Sequence, residues 1–237
     1  MKDTNLDICA IAEISKLIAP HDVTAAPANY PFIPILRRTG EEHFTLGEQT
    51  LSSNLHDFWQ WSASDLIGNT MRGCLAEFIV SMALGLTTGV RNDWDAYDLE
   101  FNGCKIEVKA SAFLQSWSQK RLSRPSFSIR AARRWDPRIN ELVGEPKRHA
   151  DLYIFCLLTH KVKATLNPLN LDQWKFYILE TTALDSHKQY RMAKTIGLSG
   201  VLLLKPREAR FADLKRCVVE VTEQLKVTAL SPPDVSG

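Results

Sequence analysis

The sequence predicts an α/β protein, because segments with helical and with strand patterning both occur along the 237-residue chain. Residues 70–84 have helical spacing of apolar side chains. An Asn-Gly turn then joins two alternating segments, which is the pattern of a β-hairpin. A continuous apolar run at residues 152–158 indicates a buried central strand. Residues 207–226 have apolar positions at steps of three and four, which predicts an amphipathic helix. Docking on a sheet is the preferred interpretation, and a dimer seam is the alternative.

Composition indicates a globular protein with one large domain. Apolar residues make up 45% and charged residues 24% of the chain, so wholesale disorder is not expected. The net charge of +2 means that any nucleic-acid affinity must come from local clusters of cations. Five cysteines in apolar segments, without a C-x-x-C pair, predict reduced thiols and a cytoplasmic protein. The acids near the N-terminus and the lack of a long apolar run predict neither a signal peptide nor a membrane span.

Residues 1–50 are predicted to form an N-terminal arm. Residues 8–18 have a short helical pattern, and four prolines between residues 19 and 34 favour an extended conformation. Packing against the main domain is the preferred interpretation, and a DNA-grasping arm or a dimer strap is the alternative. The main domain is predicted over residues 51–230, and residues 231–237 are predicted to be a disordered tail.

The predicted helix at residues 70–84 contains a single acid, Glu77. Apolar residues lie on both sides of this helix, which is therefore expected to be largely buried. They are Met71, Leu75, Phe78, Ile79 and Met82 on the main face, with Val80 and Leu84 on the other. An unpaired buried carboxylate is costly, and Gly73 leaves space in front of Glu77. The sequence therefore predicts a partner for Glu77.

Residues 97–109 form the predicted hairpin around Asn102-Gly103. A two-residue turn fixes the register, which predicts the opposed pairs Phe101–Cys104, Leu99–Ile106, Tyr97–Val108, Glu100–Lys105 and Asp98–Glu107. Directly opposed side chains have Cβ atoms about 4.5–5.5 Å apart, where like charges repel. Two facing carboxylates, Asp98 and Glu107, therefore indicate a shared proton or a bound cation. Lys109 projects from the same face as Glu107, because strand periodicity is two.

Tyr97-Asp98 followed by Glu107-Val108-Lys109, with Glu77 on the preceding helix, resembles the PD-(D/E)XK nuclease superfamily. Tyr97 stands where that superfamily often has proline. The resemblance covers residues 70–130 well and the later strands in outline. It implies a restriction endonuclease-like core, in which a central mixed β-sheet is flanked by helices. The N-terminal arm and the C-terminal amphipathic helix are expected to be additions to this core.

The resemblance implies an Mg²⁺-dependent deoxyribonuclease that cleaves phosphodiester bonds in restriction, repair or defence. Its catalytic residues would be Glu77, Asp98, Glu107 and Lys109. Asp98, Glu107 and the main-chain carbonyl of Val108 would bind Mg²⁺ or Mn²⁺, and Glu77 would position a metal-bound water or a second metal. Lys109 would orient the attacking water or help to deprotonate it. Cutting both strands of a duplex with one site per chain would favour a homodimer.

Residues 110–135 contain cations but no acid, which favours contact with DNA. The run begins directly after the predicted catalytic strand, where substrate phosphates would lie. A solvated basic face is the alternative, and RNA is the less favoured partner. The predicted nucleic-acid contacts are Gln115, Gln119, Lys120, Arg121, Arg124, Arg130, Arg133 and Arg134.

Other segments complete the prediction. Residues 54–66 are predicted as a helix whose Trp59 and Trp61 pack rather than stack on nucleotides. Residues 126–130 are predicted as a third strand, 135–149 as a loop, 174–179 as a strand, 184–195 as a polar segment with a possible helix, and 196–204 as strand or helix. The six histidines show no metal-ligand spacing and are interpreted as surface or structural residues. A position of His149 or His160 at the border of the cleft is the less favoured alternative.

Three other functions fit parts of the sequence. A nuclease-like fold that binds DNA without cutting it would not need to retain Asp98, Glu107 and Lys109. An interaction or scaffold protein with solvated hairpin acids would leave Glu77 unexplained. A metal-dependent hydrolase acting on another substrate would use the carboxylates but would not need the acid-free basic run.

Overall fold

The computed structural model describes residues 30, 33–136 and 139–230. The predicted helix at residues 8–18, most of the proline-rich arm and the tail at 231–237 lie outside these residues. Contacts divide the chain into two units, residues 1–33 and residues 34–237. This division falls before the predicted arm boundary at residue 50, and residues 34–50 group with the larger unit. The architecture below is that of the larger unit.

The larger unit has mixed α/β structure, as predicted. Its strands are β1 (His43–Leu46), β2 (Gln49–Asn54), β3 (Leu99–Phe101), β4 (Cys104–Ala112), β5 (Ser126–Ser128), β6 (Ala132–Asp136), β7 (Glu141–Lys147), β8 (Leu152–Leu158), β9 (Trp174–Glu180), β10 (Thr195–Gly197) and β11 (Arg207–Ala209). Its α-helices are α1 (Leu55–Ala63), α2 (Asn69–Leu84), α3 (Thr181–Ser186), α4 (Leu198–Leu203) and α5 (Phe211–Leu230). Two 3₁₀ turns cover Lys163–Thr165 and Leu171–Gln173.

The central sheet has five strands in the order β11-β9-β8-β4-β3. Strands β4 and β8 are parallel and the other pairs are antiparallel, so the predicted mixed sheet is confirmed. All seven residues of β8 are buried, which explains its continuous apolar sequence. In the described part of the crossover between β4 and β8, the regular elements are the strands β5, β6 and β7 rather than a helix.

Helices α2 and α5 cover one face of this sheet. Ile79 and Val80 from α2 and Val218 from α5 join the alternate residues of β4, β8 and β9 in one apolar core. The predicted docking of the C-terminal amphipathic helix on the sheet is therefore confirmed. The helix begins at Phe211 rather than at residue 207, because Arg207–Ala209 pair with β9 as a strand. On the opposite face, Phe127 and Ile196 from the β5–β10 pair help to form a second core.

Several local predictions are wrong. Phe78 and Met82 were expected on the buried face of α2 but are 54% and 39% exposed, because the small residue Ala76 lies where the helix meets the sheet. Trp61 is 84% exposed and lies 6.4 Å from the Phe58 ring, so it does not contribute to a core.

Three segments pair differently from the prediction. A hairpin of β1 and β2 occupies part of the predicted arm. Strand β5 pairs with β10 outside the central sheet, and a β6–β7 hairpin replaces much of the loop predicted at residues 135–149. The cysteines at positions 74, 104, 156 and 217 are free thiols, as predicted. No helix within the described ranges has the length and apolar character needed to cross a bilayer.

Candidate active site

The β3–β4 hairpin has the predicted register in its three strand pairs, Phe101–Cys104, Glu100–Lys105 and Leu99–Ile106. Beyond Leu99 the pairing changes. The N–H of Asp98 donates to the Ile106 carbonyl at 3.0 Å, so Asp98 does not pair with Glu107. The predicted Asp98–Glu107 and Tyr97–Val108 pairs are therefore wrong.

Tyr97 lies on the side of the hairpin that carries Glu100 and Lys105. Its hydroxyl donates to the Glu100 carboxylate at 2.8 Å, and the Lys105 ammonium lies 5.4 Å from its ring centroid. These two contacts explain why Tyr97 leaves the apolar face on which the sequence analysis placed it.

Asp98 is fixed by the backbone of β4. Its Oδ2 accepts a hydrogen bond from the Val108 N–H at 2.7 Å. The N–H and the carbonyl of one strand residue point towards the same neighbouring strand. The Val108 carbonyl is therefore directed to the edge of β4 at which the Asp98 carboxylate lies. The carbonyl oxygen of Val108 and a carboxylate oxygen of Asp98 can bind the same ligand.

Lys109 links the two carboxylates. Its ammonium hydrogen bonds to Glu107 and lies 3.9 Å from Oδ2 of Asp98. The side chains of Lys109, Asp98 and Glu107 are 28%, 19% and 20% exposed, so the cluster is largely buried but remains accessible to solvent. Burial lowers the pKa of Lys109, but attraction to Asp98 and Glu107 outweighs burial, and its pKa is raised overall. Lys109 is therefore a protonated, charged donor at neutral pH.

The pKa of Asp98 is raised from 3.8 to about 6. Loss of solvation on burial is the largest cause, and it is opposed by attraction to Lys109. Repulsion from Glu107 and Glu77 raises the pKa further, and the hydrogen bond from Val108 lowers it. The site therefore carries more negative charge than Lys109 balances, and a cation would relieve this excess.

Glu77 has a partner, as the sequence analysis predicted, but the partner is Arg91. The Arg91 Nε and Nη2 atoms donate to the two oxygens of Glu77 at 2.5 and 3.0 Å. The space beside Gly73 is open, as expected. Glu77 also raises the pKa of both Asp98 and Lys109, so the four predicted catalytic residues form one electrostatic cluster.

The donor set of this cluster suits a hard divalent cation. Asp98, Glu107 and the Val108 carbonyl provide oxygen donors, which Mg²⁺ and Mn²⁺ prefer. Among the described residues, no three Asp, Glu, His or Cys side chains are already arranged to hold a metal ion. The Lys109 ammonium forms an ion pair with Glu107, and the Arg91 guanidinium forms one with Glu77. The metal site stays a prediction, and its formation would require both cations to move from these carboxylates.

The six predicted DNA-binding cations, Lys120, Arg121, Arg124, Arg130, Arg133 and Arg134, are all exposed. The two predicted glutamines already have internal partners. Gln115 is buried and donates to the Ala112 carbonyl at 3.3 Å, and its own N–H donates to Gln119 at 2.8 Å. Both side chains hold the loop after β4 in place, and their contact with phosphate stays a prediction.

Arg72, which was not among the predicted site residues, connects α2 to this loop. Arg72 is only 4% exposed and donates to the Ile67 carbonyl at 2.7 Å, to Asn69 at 2.6 Å and to Gln115 at 3.2 Å. Its Nε has no hydrogen-bond partner among the residues that the structure describes. Burial lowers the pKa of Arg72, and attraction to Asp65 partly opposes this change. A single arginine within an apolar helix was the available signal. Arg72 fixes the helix that carries Glu77 against the end of β4.

Comparison with protein families provides an independent finding. The family model of bacteriophage T4 endonuclease IV matches residues 48–199, a segment that includes Glu77, Asp98, Glu107 and Lys109. No curated protein matches the sequence at a significant level. The match covers more than half of the chain and includes β2 to β10 of the described fold. The chain therefore belongs to the bacteriophage T4 endonuclease IV family.

Proposed function

We propose that the protein is a metal-dependent endonuclease that hydrolyses phosphodiester bonds in DNA with a site of the PD-(D/E)XK type. The observation that carries this proposal is the meeting of Asp98, Glu107 and Lys109 at one edge of β4. This edge lies within the segment matched by an endonuclease family. A cytoplasmic location, suggested by the free thiols, belongs to the same proposal.

Asp98, Glu107 and the Val108 carbonyl would hold Mg²⁺ or Mn²⁺, with Glu77 next to them. When bound, such an ion would lower the pKa of a bound water and polarise the phosphate. The hydrogen bond from the Val108 N–H fixes the orientation of Asp98 before any ligand arrives. Such preorganisation reduces the rearrangement needed during the reaction.

Lys109 acts as a charged hydrogen-bond donor in this proposal. In the metal-free site its ammonium is protonated and held by Asp98 and Glu107. With the metal bound, Lys109 would orient the attacking water or help to deprotonate it. Its positive charge also stabilises the negative charge that develops on the phosphate oxygens. The exposed cations between Lys120 and Arg134 would contact the neighbouring phosphates.

Supercoiled plasmid, linear duplex and single-stranded DNA should be incubated with the purified protein and Mg²⁺, Mn²⁺ or EDTA. We expect metal-dependent cleavage by the wild-type protein. Glu107→Gln and Lys109→Met should each lower the cleavage rate at least about 100-fold, because each removes a group that acts directly on the reaction. Gel electrophoresis of the products provides the measurement.

Lys175→Met is the matched control, because Lys175 also lies on a strand of the central sheet and pairs with a carboxylate, Glu208. It should cleave at the wild-type rate. Cleavage that persists in EDTA, or in both Glu107→Gln and Lys109→Met, would contradict the proposal. Salt-sensitive DNA binding without cleavage would instead identify a binding protein.

A further inference from the structure

A cavity of about 520 Å³ lies beside the candidate active site. Its lining includes Ala96, Tyr97, Lys105, Arg134, Lys147 and His149, and we call it the hairpin cavity because one wall is the β6–β7 hairpin. Its volume falls within the range of about 300–1,000 Å³ that is typical of ligand pockets. It is therefore large enough for a nucleotide.

The hairpin cavity adjoins the candidate catalytic residues through two chain segments. Tyr97 directly precedes Asp98, and Lys105 lies two residues before Glu107 on β4. Residues two apart on a strand share a face and are separated by about 6.6–6.8 Å. A substrate held at Glu107 and Lys109 therefore has its next unit within reach of Lys105.

The charges of the hairpin cavity favour an anionic ligand. Lys105, Lys147 and Arg134 line it, and Glu145 is the one carboxylate among its described lining residues. Within the part of the chain that the structure describes, Lys105 and Lys147 form no ion pair, whereas Arg134 lies 3.5 Å from Asp136. Two exposed ammonium groups are therefore available to a phosphate.

The walls of the hairpin cavity are attached to the rest of the fold. The Trp135 ring of β6 packs on Trp94, with ring centroids 5.9 Å apart. A ring nitrogen of His149 lies within hydrogen-bond distance of the Ala132 carbonyl, at 2.8 Å. These contacts fix the hairpin next to the loop that carries Tyr97, so the cavity exists before a ligand binds.

We propose that the hairpin cavity binds the nucleotide adjacent to the scissile phosphate, with Lys105 and Lys147 contacting the phosphate of that nucleotide. This inference rests on the proposed endonuclease function, because it takes the scissile phosphate to lie at Glu107 and Lys109. It adds a binding site next to the beginning of β4, where Lys105 precedes Glu107 and Lys109 in the chain. The predicted basic run at residues 110–135 contributes only Arg134 to this site.

The test measures binding of the full-length protein to a fluorescent oligonucleotide in EDTA, by anisotropy, over a series of salt concentrations. Lys105→Gln and Lys147→Gln should each weaken binding about 5–10-fold and reduce the salt slope by about 1, as expected for one lost phosphate contact. Ala96→Trp fills the cavity without changing charge and should weaken binding about 10-fold. Lys215→Gln, an exposed change on α5, should have no effect.

Binding and cleavage together separate this inference from the proposed function. The inference would be overturned if both lysine variants kept the wild-type salt slope of binding. It would also be overturned if Ala96→Trp, shown to be folded by thermal unfolding, bound with wild-type affinity. Absence of oligonucleotide binding by the wild-type protein would overturn it as well. Reduced slopes in a protein that cleaves no DNA would support the cavity as a nucleic-acid site and reject the endonuclease function.

Discussion

At the scale of a single residue, Asp98 is a candidate catalytic group whose ionised form lowers the stability of the fold. Its carboxylate is largely buried, and the main interactions that favour its charged form are those with Lys109 and the Val108 N–H. A pKa of about 6, against 3.8 for an ordinary aspartate, means that ionised Asp98 destabilises the folded state. This cost is absent below pH 3.8, grows as the pH rises, and is complete above about pH 6.

Asp98→Asn is therefore expected to stabilise the metal-free protein at pH 7.5. Asparagine keeps an oxygen that can accept the Val108 N–H but carries no charge. The free energy of unfolding should rise by about 1–3 kcal/mol, since each pKa unit corresponds to about 1.4 kcal/mol. The melting temperature in EDTA should rise by about 2–4 °C per kcal/mol.

The pH dependence provides the control for this prediction. Near pH 4 the carboxylate is protonated in the folded state, so the wild type and Asp98→Asn should differ much less. Asp95→Asn changes an exposed neighbouring acid and should leave the melting temperature unchanged at both pH values. A variant that is less stable than the wild type at pH 7.5 would show that Asp98 stabilises the fold.

At the scale of helices and strands, the sequence predicted those elements whose own apolar pattern reveals their burial, without reference to their packing partners. Strand β8 has its predicted bounds because both of its faces are buried. The β6–β7 hairpin was missed because Asp136-Pro137 and Gly144 indicated a loop, whereas Glu141–Lys147, which includes Gly144, pairs with β6. The orientation of α2 was wrong because packing against the sheet selects small Ala76 over large Phe78.

Arg148 is another contact that patterning does not reveal, and it joins elements that are distant in sequence. Its side chain is 2% exposed and forms an ion pair with Asp185 of α3. It also donates to the carbonyls of Ile129 and Tyr190, each at 2.8 Å, and to that of Arg191 at 3.2 Å. A buried arginine with this many acceptors holds the segment between α3 and β10 in place.

Arg148→Met should lower the free energy of unfolding by about 3–5 kcal/mol, because several buried acceptors lose their donor. Urea denaturation measures this change, and hydrogen exchange should show faster opening of residues 187–197. Arg130→Met, which changes an exposed arginine nearby, should alter stability by less than about 0.5 kcal/mol. A similarly small effect of Arg148→Met would contradict the structural role.

At the scale of the whole molecule, the four candidate catalytic residues could be proposed from the sequence because they come from one continuous segment. The surroundings of the site were not predictable in this way. Arg91 lies in the loop before the hairpin, and the hairpin cavity combines Tyr97 and Lys105 with residues from β6, β7 and the loop before β8. Only the tertiary fold brings these groups together, so sequence spacing contains no signal for them.

The molecule also depends on a helix that lies beyond the matched family region. Helix α5 buries Leu214, Val218 and Val221 against the sheet face that includes Ile106 and Ile154. A chain that ends at Pro206 loses β11 and α5 and exposes this face. We expect it to be unfolded by circular dichroism, whereas a chain that ends at Leu230 should unfold cooperatively with the wild-type melting temperature. A cooperative transition in the shorter chain would show that α5 is dispensable.

The parallel pairing of β4 with β8 has a consequence for biosynthesis. A ribosome adding about 5–20 residues per second completes Lys109 seconds before Leu158 emerges. During this interval the nascent chain contains every candidate catalytic side chain but lacks the neighbouring strand that supports β4. We therefore expect the proposed cleavage activity to require synthesis of β8 as well as of β11 and α5, so that chains truncated before residue 152 should be inactive in the plasmid assay.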